Sequence, residues 1–360
     1  MKKILLSILC VLLLLTLFSG CYKNADVLII DDYPIYPGLY LYFQLQSISI
    51  ASTKLEDQYE GKELYNQSID GIPVREWIKN NTVTLAQEYV FIEKSFDRLG
   101  LDQAVVDMQM NYYDSTLRDE WQRMQLFYVR NGVGFSTFRK AYQNYIKSDQ
   151  LFTALYMTEG GEEEVPEEVI KNFFAEDFTY LDYLCIDKTD EDKAPLTDTR
   201  IQKIREDMKI IKNIAEEAVK EEDVLFYDPV NIGIEAAFRY YCEINEITEE
   251  EAASIRGKAI TENTIVRTSS KLYDEGLLET IFKSTYDRFY TYETEDSFYL
   301  FCRRSMLAED EDAWVEYKGT IISELMTDTY LEYLSENSKL LPVVENAGAR
   351  RYFSINKASD

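Results

Sequence analysis

Tyr180-Leu181-Asp182-Tyr183-Leu184-Cys185-Ile186 is the point at which the character of this 360-residue chain changes. Apolar and aromatic side chains crowd the run with no glycine or proline, which reads as a strand. A charged loop follows through Pro195. Beyond it, Ile201, Ile204, Met208, Ile211, Ala215 and Ala218 recur at helical steps, with Thr197 or Thr199 as the cap. Residues 224–270 are less regular and predict two or three short helices. A short helix is expected over 277–282. Strands are expected at Phe289 to Tyr292 and Phe298 to Cys302, joined by the acidic turn Glu293-Thr294-Glu295-Asp296. The predicted order is β-α-α-β-β, an α+β domain set after a helical one.

Before Phe178 the texture is helical. Val27-Leu28-Ile29-Ile30 makes a short strand or arm, and after Pro37-Gly38 a helix is expected from Leu39 to Ser52. Leu85, Tyr89, Ile92, Phe96 and Leu99 form one apolar stripe, closed by Gly100. Val106, Met110, Tyr113, Leu117, Trp121, Met124 and Tyr128 form a second, read as one long helix closed by Gly132 and Gly134. A third helix takes Ser136 as its cap, with Phe138, Ala141, Tyr145, Phe152 and Leu155 on one face. Pro166 opens a short helix that ends near Ala175. After the insert a last long helix is expected from Asp312 to Ser335, with Trp314, Tyr317, Ile321 and Leu325 on its stripe. It cannot bury that stripe alone, so it is expected to return to the N-terminal helices. The tail reads as a strand over 350–355.

The N-terminus carries Lys2-Lys3, an apolar run from Ile4 to Phe18, then Ser19-Gly20-Cys21. The run is too short to cross a hydrocarbon layer of ~30 Å, which takes about 20 helical residues, and its order is that of a signal peptide. It resembles the lipobox of bacterial lipoproteins, with Phe18 where leucine is usual. That resemblance implies cleavage after residue 20, a lipid on Cys21, and a location at the extracytoplasmic face of a bacterial membrane. Cleavage takes two of the 38 basic residues and none of the 65 acidic ones, moving the formal charge from −27 to −29. Nucleic acid, whose binding depends on clustered Lys and Arg, is therefore not expected as a partner. Anionic headgroups should repel the body of the chain and leave the lipid to anchor it.

Histidine is absent. Ser-His-Asp and Cys-His nucleophilic catalysis, HExxH zinc chemistry and imidazole acid/base catalysis are all excluded. The acidic runs at 162–164, 249–251 and 309–312 lack the alternating spacing and central glycine of a calcium loop, so no metal or cofactor is expected. With Cys10 lost and Cys21 lipidated, Cys185, Cys242 and Cys302 remain as small apolar residues or one disulfide and a free thiol.

The lipobox, the opening turn and helix, the long helices, the phrase Gly132-Val133-Gly134-Phe135-Ser136-Thr137-Phe138-Arg139, the α+β insert and the returning helix together resemble the exported parvulin-type foldases and chaperones. These are the PrsA and SurA group, related in their helical part to trigger factor. The resemblance implies a mostly helical α+β chain. Its parts would be a signal peptide over 1–20, an N-terminal helical domain over 21–175, a parvulin-like domain over 176–305, and a C-terminal segment over 306–360 returning to the helical domain. The family's isomerase signature is a histidine in the first strand of the insert and another in the last. Tyr183 and Tyr299 stand at those positions, and Phe282 matches an aromatic lining the proline pocket. The implied function is a lipid-anchored chaperone that holds unfolded exported polypeptides, without prolyl isomerase catalysis.

The 28 tyrosines suit that reading, because tyrosine joins apolar area to a polar tip at low rotamer cost. Adjacent on a helix, Tyr112 and Tyr113 cannot both face one core, so they join Tyr183, Phe282 and Tyr299 as candidate peptide-binding residues. Tyr240-Tyr241 is a further exposed aromatic candidate. A solute-binding lipoprotein of a transporter is the alternative, although such proteins alternate strands and helices, and ~150 residues of helical pattern come first here. A carboxylate enzyme would need two acids converging in one cleft.

Overall fold

The computed structural model describes residues 25–55, 61–190, 193–220 and 229–353. The signal peptide expected over 1–20 and the lipid expected on Cys21 lie outside them. The chain divides into two compact units, one of residues 1–164 with 324–360, the other of residues 165–323. Its fold is α+β and mostly helical.

The first unit opens with a tight hairpin, β1 (Leu28–Ile30) and β2 (Tyr33–Ile35). Asp31 and Asp32 both take positive φ, 45° and 65°, as a two-residue turn matched to strand twist requires. Helix α1 (Pro37–Lys54) follows, with proline in its first turn, then β3 (Ser68–Ile69) and β4 (Ile72–Pro73). Helix α2 (Val74–Arg98) buries Tyr89, Ile92 and Phe96 of the expected stripe, and Gly100 leaves it at φ 64°.

The second stripe is divided between α3 (Gln103–Tyr112) and α4 (Asp114–Arg130). Tyr113, at φ −88° and ψ 2°, leaves the helical basin and breaks what was expected to be one helix. Val106, Met110 and Leu117 pack in one apolar cluster and Trp121 with Tyr128 in another, leaving Met124 exposed. In α5 (Phe135–Phe152) the cap position is Gly134, with Ser136 inside the first turn. Its buried face carries Thr137, Asn144, Lys147 and Leu151, so the expected Tyr145 faces solvent. A polar seam fixes that face. Glu93 of α2 accepts from Lys147 at 2.7 Å and from Asn144 at 2.8 Å, and Asn144 also donates to the Tyr89 carbonyl at 3.1 Å.

The second unit begins with α6 (Glu167–Asp177) and continues directly into β5 (Phe178–Asp187). Helices α7 (Asp198–Ala218), α8 (Pro229–Ile244) and α9 (Glu249–Ala259) come next. Thr197 caps α7 by accepting from the Arg200 amide. The expected β-α-α-β-β order omits one strand, β6 (Ile260–Arg267). It is an edge strand whose middle residues, Glu262, Asn263 and Thr264, carry no apolar alternation. Asn263 sits at φ 53°, where the β5/β6 register shifts, and donates its amide to Asp182 at 2.6 Å. Then follow α10 (Glu275–Lys283), β7 (Phe289–Glu293), β8 (Ser297–Arg304) and α11 (Met306–Glu309).

The four strands form an antiparallel sheet in the order β6-β5-β8-β7. Leu184, Ile186, Phe298, Leu300 and Cys302 face the α7, α8 and α9 side, with Tyr240 and Tyr241 packed partly against them rather than standing exposed. At one end Asp182, fully buried, receives Arg304 Nε at 2.7 Å, and Arg304 also donates to Asn263.

The terminal helix begins later than expected. A 3-10 turn over Ala313–Tyr317 carries Trp314, and α12 (Lys318–Ser338) follows, its first residues in the second unit and the rest in the first. Within the first unit, Tyr330 donates to the Ser148 carbonyl at 2.8 Å and packs on Phe152 at 5.3 Å, and Tyr333 meets Phe91 at 5.6 Å. Strand β9 (Val343–Glu345) then pairs antiparallel with β1, giving the sheet β2-β1-β9. The tail expected as a strand is instead helix α13 (Ala347–Tyr352) for its described part, capped by Asn346 and burying Ala349 in the first unit's core. Residues 354 and 355 lie outside the described residues.

Candidate functional site

The face of the four-stranded sheet opposite α7, α8 and α9 is where the predicted insert residues converge. Strand alternation turns Tyr183 of β5 and Tyr299 of β8 to the same side. Tyr183 lies opposite Phe301, and Cys185 opposite Tyr299. The two tyrosines are thus diagonal neighbours, with ring centroids 5.6 Å apart at 62°, an edge-to-face contact. Leu277, Leu278 and Ile281 of α10 pack over this face with Leu181, Val266 and Phe301, and Phe282, Tyr290 and Tyr292 lie around them.

Tyr273 completes the aromatic group at 6.3 Å from Tyr183, edge on. It precedes Asp274, the cap of α10, whose side chain accepts from the Leu277 amide at 3.0 Å. Tyr273 and Leu278 hold the two positions of a hydrophobic staple and lie in one cluster. Gly276 permits the close seating of the helix, since a Cβ there would fall 2.2 Å from the Tyr292 hydroxyl. Aromatic identity just before an Asp cap was the signal in the sequence that marks Tyr273.

The hydroxyls form two short polar chains. Tyr273 is hydrogen-bonded with Tyr183 and Thr264, and burial pushes its pKa up to about 12. Tyr299 is hydrogen-bonded with the Cys185 thiol, and burial raises both groups above their ordinary values. The thiol also donates to Asp187 at 3.7 Å, and Ser297 donates to the same carboxylate oxygen at 2.9 Å. Beneath Phe282, Arg303 is buried and held by the Phe282 carbonyl at 2.7 Å, the Tyr286 hydroxyl at 2.9 Å and Thr179 at 3.2 Å. Its guanidinium lies 4.8 Å from the Phe282 ring centroid, and burial lowers its pKa. Near neutral pH Tyr273 and Tyr299 are therefore uncharged, and the cluster offers ring faces and hydroxyl hydrogen bonds. Such a surface can hold apolar, aromatic or proline side chains.

Tyr112 and Tyr113 are not part of this cluster but lie in the first unit. Tyr112 is 79% exposed, and its ring meets Tyr113 at 4.9 Å. Tyr113 meets Tyr142 at 6.2 Å, and Tyr142 meets Tyr145 at 6.1 Å. Four tyrosines thus make a continuous ladder from α3 to α5, with Tyr145 69% exposed. Met108, Met124, Leu126 and Phe127 are exposed on α3 and α4 as well. No disulfide joins Cys185, Cys242 and Cys302. Among the described residues, no group of acidic or thiol side chains is arranged to hold a metal ion.

No protein-family model matches the chain, and no curated protein matches it. Solved structures similar to it include the foldase protein PrsA from Streptococcus pneumoniae, at 15% identity and a TM-score of 0.33, covering 80% of this chain and 98% of that one. Another is the foldase protein PrsA from Lactococcus lactis, at 10% identity and a TM-score of 0.33, covering 94% and 100%. A third is a SurA-like chaperone of Campylobacter jejuni, at 11% identity and a TM-score of 0.27, covering 90% and 100%.

Proposed function

We propose that this chain is a lipid-anchored extracytoplasmic chaperone that holds unfolded exported polypeptides and does not catalyse prolyl isomerisation. The observation that carries this reading is the ladder of Tyr112, Tyr113, Tyr142 and Tyr145, flanked by exposed methionine, leucine and phenylalanine. Large apolar side chains exposed together are a liability unless they bind something, and aromatic rings with methionines suit many sequences. The tyrosine face of the second unit supplies a second, weaker surface for extended segments. It lacks the histidine pair that the foldase resemblance would require for isomerisation.

The test is capture of an unfolded exported protein by residues 22–360. At equimolar amounts the chain should delay aggregation measured by light scattering. Replacing Tyr112, Tyr113 and Tyr145 with serine should remove most of that delay while leaving the melting curve in place. Scattering equal to that with an inert acidic protein overturns the reading. In a protease-coupled proline-peptide assay no acceleration is expected, and a measurable rate overturns the non-catalytic part. Acyl mass on the Cys21 peptide of membrane-extracted protein tests the anchor.

A further inference from the structure

We propose that the outer face of the β2-β1-β9 sheet is a membrane-contact surface, seated on the headgroup boundary of the bilayer that holds the lipid on Cys21. The inference rests on the anchor reading above.

In β1, Leu28 and Ile30 are buried while Ile29 between them points outward and is 41% exposed. The register sets Pro34 on one side of Ile29 and Val344, 64% exposed, on the other. An uncharged row of three apolar side chains thus crosses all three strands. Leu340, 79% exposed, precedes the last strand, and the nearby Pro342 carbonyl accepts from the Asp31 amide at 2.9 Å, tying that turn to the hairpin tip.

Chain length decides what covers this row. Only Tyr22, Lys23 and Asn24 separate Cys21 from Ala25, which packs against the core of the first unit. Four residue steps reach at most about 14 Å at full extension, so a lipid on Cys21 keeps the start of this sheet within roughly that distance of the headgroups. The body of the protein cannot stand off, and the hairpin is the element the bilayer meets first. Charge points the same way. Two acids beside the row are neutralised, Asp31 by Lys94 and Glu345 by Arg350. Asp26 and Asp32 flank the row in the sequence and Lys339 stands beside Leu340, while the net negative charge of the whole chain favours zwitterionic over anionic headgroups.

The test places a tryptophan at position 344 and, as a control on the same unit, at Leu126. Each variant is reconstituted in phosphatidylcholine vesicles as the lipidated chain, with and without brominated acyl chains. The same pair is repeated with a chain beginning at Cys21, joined there to a maleimide headgroup in a Cys185→Ser background. The second arm imposes the tether, so a failed anchor, read by absent acyl mass, is distinguished from a failed contact surface. Expected is a blue-shifted emission for Val344→Trp that bromolipid roughly halves, none for Leu126→Trp, and loss of the quenching when Ile29→Asp is added. Equal quenching at both positions overturns the proposal. So does a blue shift of Val344→Trp that grows with protein concentration in the absence of vesicles, which would assign the row to a second copy of the chain.

Discussion

Cys185 shows how strongly its surroundings govern a side chain. Burial raises its pKa from 9.0, and hydrogen bonds with Ser297 and then Tyr299 partly offset that rise. Thiolate is therefore scarce at neutral pH. With a disulfide reagent at pH 8, Cys185 should react before the buried Cys242 and Cys302 but more slowly than a free thiol, its rate still climbing above pH 9. Tyr299→Phe removes a bond that favours the thiolate and should slow it further. A rate matching an unperturbed thiol would contradict this account. Tyr183 and Tyr299 were singled out because the foldase resemblance sets them at its two signature positions, and strand alternation turns both to one face. Tyr273 was missed: an aromatic before an Asp cap marks a helix staple, but the face it reaches depends on where that helix seats, and Gly276 sets that seat.

The same limit holds for whole elements. Strands β5, β7 and β8 were legible because their inward residues are apolar and continuous. Strand β6 was not, since its middle is polar and its bend is held by Asp182, a partner far along the chain. The break at Tyr113 was hidden because residues on both sides keep helical spacing. On α5 the buried Asn144 and Lys147 look like a solvated face until Glu93 is placed opposite them. Lys147→Met leaves Glu93 without its cation in a mostly buried seam and should cost about 3 kcal/mol in denaturant unfolding. Adding Glu93→Gln should recover much of it, and a single-variant cost near zero would mean the seam contributes nothing.

Another contact between elements gives a pH window. Arg205 of α7 grips Glu293 of β7 through two hydrogen bonds of 2.7 and 2.6 Å, and Lys188 adds an ion pair at 2.9 Å. Arg205 first, then Lys188, hold the carboxyl at about 2 against an ordinary 4.5. A carboxylate with a depressed folded pKa contributes stability that is complete above its unfolded value and is lost as pH falls through the folded one. Between pH 4.5 and about 2 the unfolding midpoint should therefore fall more steeply for the parent than for Glu293→Gln. Parallel curves would remove the contact from the ledger.

For the molecule as a whole, the dominant number is the formal charge of −27. In the function proposed above, long-range attraction favours basic segments of a client, and the aromatic ladder supplies the short-range grip. Added salt should weaken capture of a basic client and leave a neutral one nearly unchanged, read as the scattering delay at low and high ionic strength. Capture of the basic client that is flat or stronger in salt would confine binding to apolar contact.

A last consequence follows from the pairing of β1 with β9. The Gln44 side chain reaches the Phe353 carbonyl across 309 positions of sequence, and β1 finds its second neighbour only when β9 arrives. A ribosome releases the chain from its beginning, so residues 165–323 are free to collapse while the earlier portion still waits for its closing strand. Nascent material then spends the longest interval of its synthesis with Leu28, Leu39 and Phe43 uncapped by their late-arriving cover. Premature termination before Val343 would leave that half permanently unlatched.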